Sequence, residues 1–385
     1  MTEIDGKKLV LLVDDAPANL QMMRSILKDD FKIRVATSGA KALDLVKSKP
    51  QPDLILLDVM MPEMDGYELC GILKATPEAR DIPVIFLTGK TESDDETRGF
   101  EVGAVDYIHK PFSPAVVKAR VHTHLVLREA REQLARQLLD ISNELEMARE
   151  IQLSILPHEI PKIRGLEIAA RYVPMSSVAG DFYDFIIVDE KHVGILIADV
   201  SGHGLPAALI ASMLKVALAA QSPHAFDPAR VLAGLNQSLC GKFKHHFVTA
   251  AYVFVDTEKK SISYAGAGHP PLLLWRTSTG NASEVLQNGL LLGLFPDATY
   301  SVVELQVERG DRAVIYTDGI LETRSPSEQE FGIDLFKGFL ESSHELAADA
   351  FADSMLEELS GWSEHPKGQR QEDDITLLVI DFHSP

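Results

Sequence analysis

The chain has 385 residues, room for two or three domains of ordinary size, and is 45% hydrophobic and 24% charged. Fifty-seven acidic against 37 basic residues leave a net charge of −20, which argues against a nucleic-acid partner, whose phosphates call for a basic face. Two distant cysteines, Cys70 and Cys240, lack zinc-ligand spacing and suit a reduced, cytoplasmic compartment. The apolar run Leu9–Val13 is too short for a signal peptide, and Ala207–Ala220 is too short to span a membrane and carries Lys215.

From Lys8 to Arg120 short apolar blocks alternate with amphipathic segments. The blocks Leu9–Val13, Ile33–Ala36, Leu54–Leu57, Val84–Leu87 and Val105–Ile108 read as strands, and segments such as Asn19–Lys28 and Ala40–Ser48 as helices. Five strands alternating with helices predict an α/β domain with a parallel, doubly wound sheet and ligands at the carboxyl ends of its strands. Asp14, Asp15, Asp58, Thr88 and Lys110 all fall just past such ends. Grouped carboxylates repel by roughly 4 kcal/mol per pair at 4 Å in a partly screened setting, so such a group predicts a divalent cation. With that charge neutralised, Asp58 can attack a phosphoryl donor, Lys110 can face the phosphoryl oxygens and Thr88 can hydrogen-bond them.

Next comes a stretch without Gly or Pro, Ala115–Leu156. Leu127, Leu134, Ile141, Ala148 and Ile155 recur every seven residues, with Leu138 and Leu145 in the other seam position. Arg131 and Gln152 interrupt that second series. The pattern predicts a coiled-coil rod about 63 Å long and a homodimer. The alternative is a helix packed on its own domain.

From Ile163 onward the strands are shorter and more numerous: Ile168–Tyr172, Phe185–Val188, Val193–Asp199, Val248–Asp256, Ser261–Ala265, Leu272–Trp275, Arg312–Tyr316 and Ile375–Phe382. Helical patterns cover Pro206–Ala220, Pro228–Leu239 and Leu346–Leu359, which together predict an α+β fold of mostly antiparallel strands with helices outside. Asp181 in AGDFYDF, Asp199 in IADVSGHG, Asp318 in YTDGILET and the Asp373–Asp374 pair in QEDDITLLVI occupy turns from distant parts of the chain. Their convergence predicts a bimetallic centre that activates a water for direct attack on a phosphate. His203 and His269 sit in Gly-rich turns, where each either supports the loop or serves as an acid.

Residues 8–124 resemble CheY-like receiver domains through LVDDAP, LLDVMMPEMDGYE, FLTG and VDYIHKPF. The resemblance implies a Mg2+ site at Asp14, Asp15 and Asp58, phosphorylation of Asp58 by a sensor histidine kinase, and a switch set of Thr88, Tyr107 and Lys110. Residues from about 147 to 383 resemble the metal-dependent PPM phosphatases, in the branch typified by SpoIIE and RsbU, through MAREIQLSILP, the acidic motifs, YAGAGHPPLLL and EFG. This second resemblance implies an αββα sandwich over 157–385, after a linker at 125–156. It also implies two Mn2+ or Mg2+ ions held by Asp181, Asp199, Asp318, Asp373, Asp374 and the Val200 carbonyl, with Asp199 bridging. The expected protein is a response regulator whose Asp58 controls a serine/threonine phosphatase acting on a phosphoserine anti-sigma-factor antagonist. An intact acidic set favours this over a non-enzymatic adaptor, and the low pI disfavours a DNA-binding regulator.

Overall fold

Two hydrophobic patterns build two units, one ending at Asp140 and the other beginning at Ile141. The computed structural model describes residues 6–89, 93–243, 245–363 and 373–383, with backbone alone over 93–96. Gln371 and Glu372 of the QEDDITLLVI motif lie outside the described residues.

The first unit alternates β1 (Leu9–Val13), α1 (Pro17–Leu27), β2 (Lys32–Ala36), α2 (Gly39–Lys47), β3 (Leu54–Asp58), α3 (Gly66–Ala75), β4 (Val84–Thr88), α4 (Ser93–Glu101), β5 (Asp106–His109) and α5 (Pro114–Ile155). Its strands form one parallel sheet in the order β2-β1-β3-β4-β5. Every residue of β1, β3 and β4 is buried, because helices cover both faces of the sheet. Leu11, Val13, Ile55, Leu57 and Phe86 face α2 and α3, while Val10, Leu12, Leu56 and Ile85 meet Leu20 and Met23 of α1 and Val117, Val121 and Leu125 of α5. The strand order reverses direction between β1 and β3, which opens the crevice at their carboxyl ends. The predicted strands and fold class are all found here.

Helix α5 is a single 42-residue element, so the expected linker at 125–156 is continuous with the last receiver helix. Arg120 and His124 both bind the Asp106 carboxylate, the latter at 3.0 Å, and Arg128 donates to the Asp53 carbonyl at 2.8 Å. At its other end Leu156 is buried in the core of the second unit, with Ile155 packed against it.

The second unit comprises β6 (Leu166–Val173), β7 (Phe182–Ile187), β8 (His192–Val200), α6 (Leu205–Ala219), α7 (Pro228–Leu239), β9 (Val248–Asp256), β10 (Ser261–Ala267), β11 (Leu272–Arg276), β12 (Asn281–Val285), β13 (Asn288–Gly289), β14 (Val303–Gln306), β15 (Arg312–Tyr316), α8 (Gly319–Glu322), α9 (Gly332–Ser342), α10 (Ala348–Trp362) and β16 (Ile375–Phe382). One sheet runs β13-β10-β9-β8-β7, with β14 also on β10; the other runs β12-β11-β15-β16-β6. Side chains alternate strictly between layers. Leu272, Leu274, Ala313, Ile315, Leu378 and Ile380 point into the core between the sheets, whereas Leu273, Val314, Tyr316, Leu377 and Val379 point out to α9 and α10. Helices α6 and α7 pack on the other sheet, giving the αββα order. Among the described residues no helix is long and apolar enough to cross a membrane.

Leu378 is fully buried between the two sheets. Leu378→Ala should lower the unfolding free energy of the second unit by about 3 kcal/mol, through lost transfer energy and the cavity left behind. Denaturant unfolding followed separately for each unit measures this, and the first unit should keep its midpoint.

Candidate functional sites

The first site forms where β1 and β3 end side by side. Asp14, Asp15 and Asp58 offer oxygens that all lie within 4.8 Å of one another, with Asp14 and Asp58 buried and Asp15 exposed. Lys110 follows β5 and reaches across, 3.0 Å from Asp58 Oδ1 and 3.4 Å from Asp14 Oδ2. Asp14 is held by the Ala16 N–H at 2.8 Å and by the Asn19 amide at 2.8 Å. Burial raises the Asp58 carboxyl above its ordinary pKa, the Lys110 hydrogen bond opposes this, and the nearby Asp14 charge adds to it. Three carboxylates against one lysine leave a site in excess negative charge, a donor set suited to a hard divalent ion.

Thr88 ends β4 and is buried. Tyr107 is also buried, edge-on to Phe100 at 5.1 Å and tilted against Phe86 at 5.6 Å. Gly99 makes that seat possible, since a Cβ there would lie 1.7 Å from the Tyr107 hydroxyl. The structure thus brings together Asp14, Asp15, Asp58 and Lys110, with Thr88 at the end of the neighbouring strand β4 and Tyr107 packed behind it on Phe86.

The second site forms where the two sheets of the sandwich meet. Asp181 precedes β7 and Asp199 stands near the end of β8, one pairing step beyond Phe182↔Ala198. On the facing sheet Asp318 follows β15, and Asp373 and Asp374 precede β16. Asp199 is raised from 3.8 to about 8, first by burial and then by the charges of Asp318, Asp373, Asp374 and Glu322. Asp318 is raised by burial and by Asp373. Such mutual repulsion, with no cation among the perturbing groups, marks a centre lacking positive charge. Among the described residues the groups with all ligand atoms within 4.8 Å are the receiver trio and Glu167–Asp381–His383. In the latter, Asp381 is already paired with Arg312 at 2.5 and 2.7 Å.

Two of the predicted acids differ from the rest. Asp181 is fully enclosed, and its Oδ2 accepts the hydroxyls of Thr317 at 2.7 Å and Thr376 at 2.5 Å, from the facing sheet. Asp374 accepts the Met175 N–H at 2.7 Å on one oxygen and the Gly180 N–H at 2.6 Å on the other. Both carboxylates therefore fasten the loop before β7 to the ends of β15 and β16. Thr317 and Thr376 escape sequence reading because a threonine at a strand end is ordinary. Their adjacency to Asp318 and near-adjacency to Asp374 was the available signal. Glu322 was also missed, one turn beyond Asp318.

The two histidines separate clearly. His203 is exposed in the turn after β8, while His269 is buried, hydrogen-bonded through Nδ1 to Thr249 at 2.9 Å, and pushed by burial to about 3. His269 thus stays neutral and supports its loop.

An acid whose native pKa is raised binds its proton more tightly folded than unfolded. Stability from Asp199 is then greatest below 3.8 and falls as pH rises toward about 8. In metal-free protein the unfolding midpoint of the second unit should drop between about pH 5 and about pH 8, and added Mn2+ should restore it most at the upper end. A thermal melt series checks this; a midpoint that rises across that range contradicts the charge balance.

Comparison with known proteins agrees with this architecture. Residues 10–122 match the response regulator receiver domain, and residues 189–383 match Stage II sporulation protein E (SpoIIE). Phosphoserine phosphatase RsbU of Bacillus subtilis is 31% identical over 246 residues, covering 63% of this chain and 70% of RsbU. A probable cyclic di-GMP phosphodiesterase of Vibrio cholerae is 47% identical over 128 residues, covering 33% of this chain but only 29% of its own length. The SiaA-PP2C domain of Pseudomonas aeruginosa shares the fold, with a TM-score of 0.56 at 24% identity over 64% of this chain and 99% of that domain. With a receiver at its start and a PPM-type serine/threonine phosphatase domain after it, the chain belongs to the SpoIIE family.

Proposed function

We propose that phosphorylation of Asp58 sets the activity of the phosphatase domain toward a phosphoserine protein, with an anti-sigma-factor antagonist as substrate and a sensor histidine kinase as phosphoryl donor. The observation that carries this reading is the convergence of Asp199, Asp318 and Asp373 from two sheets into one mutually repelling group. RsbU and RsbP of Bacillus subtilis, both named phosphoserine phosphatases, support the substrate class.

In this reading Asp199, Asp318, Asp373 and the Val200 carbonyl hold two Mn2+ or Mg2+ ions. Asp181 and Asp374 act behind them, keeping the β7 loop against the facing sheet. Bound ions would neutralise phosphate charge and lower the pKa of an attacking water. At the receiver Asp14, Asp15 and Asp58 hold Mg2+, Lys110 balances the incoming phosphoryl charge, and Thr88 and Tyr107 respond to it.

The output passes through α5. Leu127, Leu134, Leu138 and Ile141 are all more than half exposed, an apolar stripe at heptad spacing. A second copy of this chain is the partner that such a stripe fits.

With Mn2+ present, the full-length protein should release phosphate from a phosphoserine antagonist, and Asp199→Asn should reduce turnover at least about a thousandfold. Retained turnover in that variant rules out the proposed centre. Light scattering should find a dimer, and Leu138→Asp with Leu145→Asp should convert it to a monomer; a monomeric wild type contradicts the stripe's assignment.

A further inference from the structure

Gln152 occupies a seam position of α5, seven residues after Leu145, where an apolar side chain continues the heptad. Yet it is only 5% exposed, while seam residues earlier in the helix face solvent. A buried primary amide is costly unless its donor and acceptor are both satisfied. Here one residue satisfies both. Gln152 Nε2 donates to the Ala179 carbonyl at 2.6 Å, and Gln152 Oε1 accepts the Ala179 N–H at 3.0 Å. Because one partner can only accept and the other only donate, the orientation of the amide is fixed.

Ala179 opens the strip that leads into the phosphatase centre. The next residue, Gly180, gives its N–H to Asp374 and lies so close to the end of β8 that a Cβ would stand 2.7 Å from the Val200 carbonyl oxygen. The residue after that is Asp181, tied to Thr317 and Thr376. Residues 179–181 are therefore gripped by α5 on one side and by the ends of β15 and β16 on the other. They rest on the carbonyl assigned above to an ion.

We propose that Gln152 is a positioning residue through which α5 governs the phosphatase centre: its paired hydrogen bonds to Ala179 seat residues 179–181 against Val200, and turning α5 releases them. The inference rests on the reading of a regulated phosphatase. The required motion is small. A straight helix and a heptad supercoil differ by about 20° per heptad, which at a side-chain radius of roughly 6 Å moves the amide by about 2 Å, enough to break both bonds. Repacking the exposed stripe in a dimer supplies a rotation of that kind.

The test uses full-length protein carrying Gln152→Leu, which completes the seam but removes both hydrogen bonds, and Gln152→Glu, which keeps size and the acceptor but loses the donor. Mn2+ binding is measured by calorimetry, the relevant phase being the one absent from Asp199→Asn protein. Hydrolysis of p-nitrophenyl phosphate is followed with and without beryllofluoride, a phosphoryl mimic for Asp58. Gln152→Leu should weaken that Mn2+ phase about tenfold to a hundredfold and abolish the response to beryllofluoride, with Gln152→Glu falling between. Wild-type Mn2+ affinity together with a wild-type response in Gln152→Leu overturns the proposal. Should Gln152→Leu fail to fold, the same readings on Gln152→Glu decide it. A wild type that binds Mn2+ but hydrolyses nothing defeats the phosphatase reading, while weaker Mn2+ binding in the variants still upholds the clamp.

Discussion

Carboxylates brought together at strand ends are the constraint around which both units are arranged. Each site gathers acids from sequence-distant turns, against a repulsion that only a cation or a proton relieves. The receiver relieves part of it internally, through Lys110 between Asp14 and Asp58. The phosphatase centre has no such lysine among the groups that perturb Asp199, whose carboxyl burial and the neighbouring acids raise to about 8. One site therefore sets its carboxylates beside a fixed positive charge. The other gathers acids with no basic side chain among the groups that raise Asp199.

The rigidity needed to hold such groups comes from what surrounds them. In the receiver, fully buried strands sandwiched between helices fix the positions of Asp14 and Asp58 from behind. In the phosphatase unit the acids sit on two different sheets, so their relation depends on inter-sheet ties. Asp181 with its two threonines and Asp374 with its two backbone N–H groups are those ties. An acidic residue thus serves as a fastening at Asp181 and Asp374, and hydrogen-bond partners set these two apart from the acids proposed as ligands.

Much of this was legible in the sequence. The strand-end aspartates, Lys110 and Thr88 could be placed because short apolar blocks bounded by Asp, Gly and Pro mark their strands sharply. The split between ligand and fastening was not legible, because it depends on which threonines and N–H groups stand opposite. Strand β12 was missed because its NASEV sequence is polar and mostly exposed at a sheet edge, and β14 because it reads as a four-residue polar alternation. Helix α9 was hidden by Gly332 and Gly338, which weaken a helical reading that Phe336 and Leu340 then stabilise by burial. Gln152 was visible only as a flaw in a heptad. Its meaning appears once Ala179, distant in sequence, is beside it.

On the proposed reading Asp199, Asp318 and Asp373 form a divalent-cation centre, with Asp181 and Asp374 outside it. Anomalous diffraction from crystals of the full-length protein grown with Mn2+ measures this most directly. Manganese peaks bounded by Asp199, Asp318 and Asp373 are the predicted result. Peaks centred on Asp181 and Asp374, or none between the two sheets, would contradict the account.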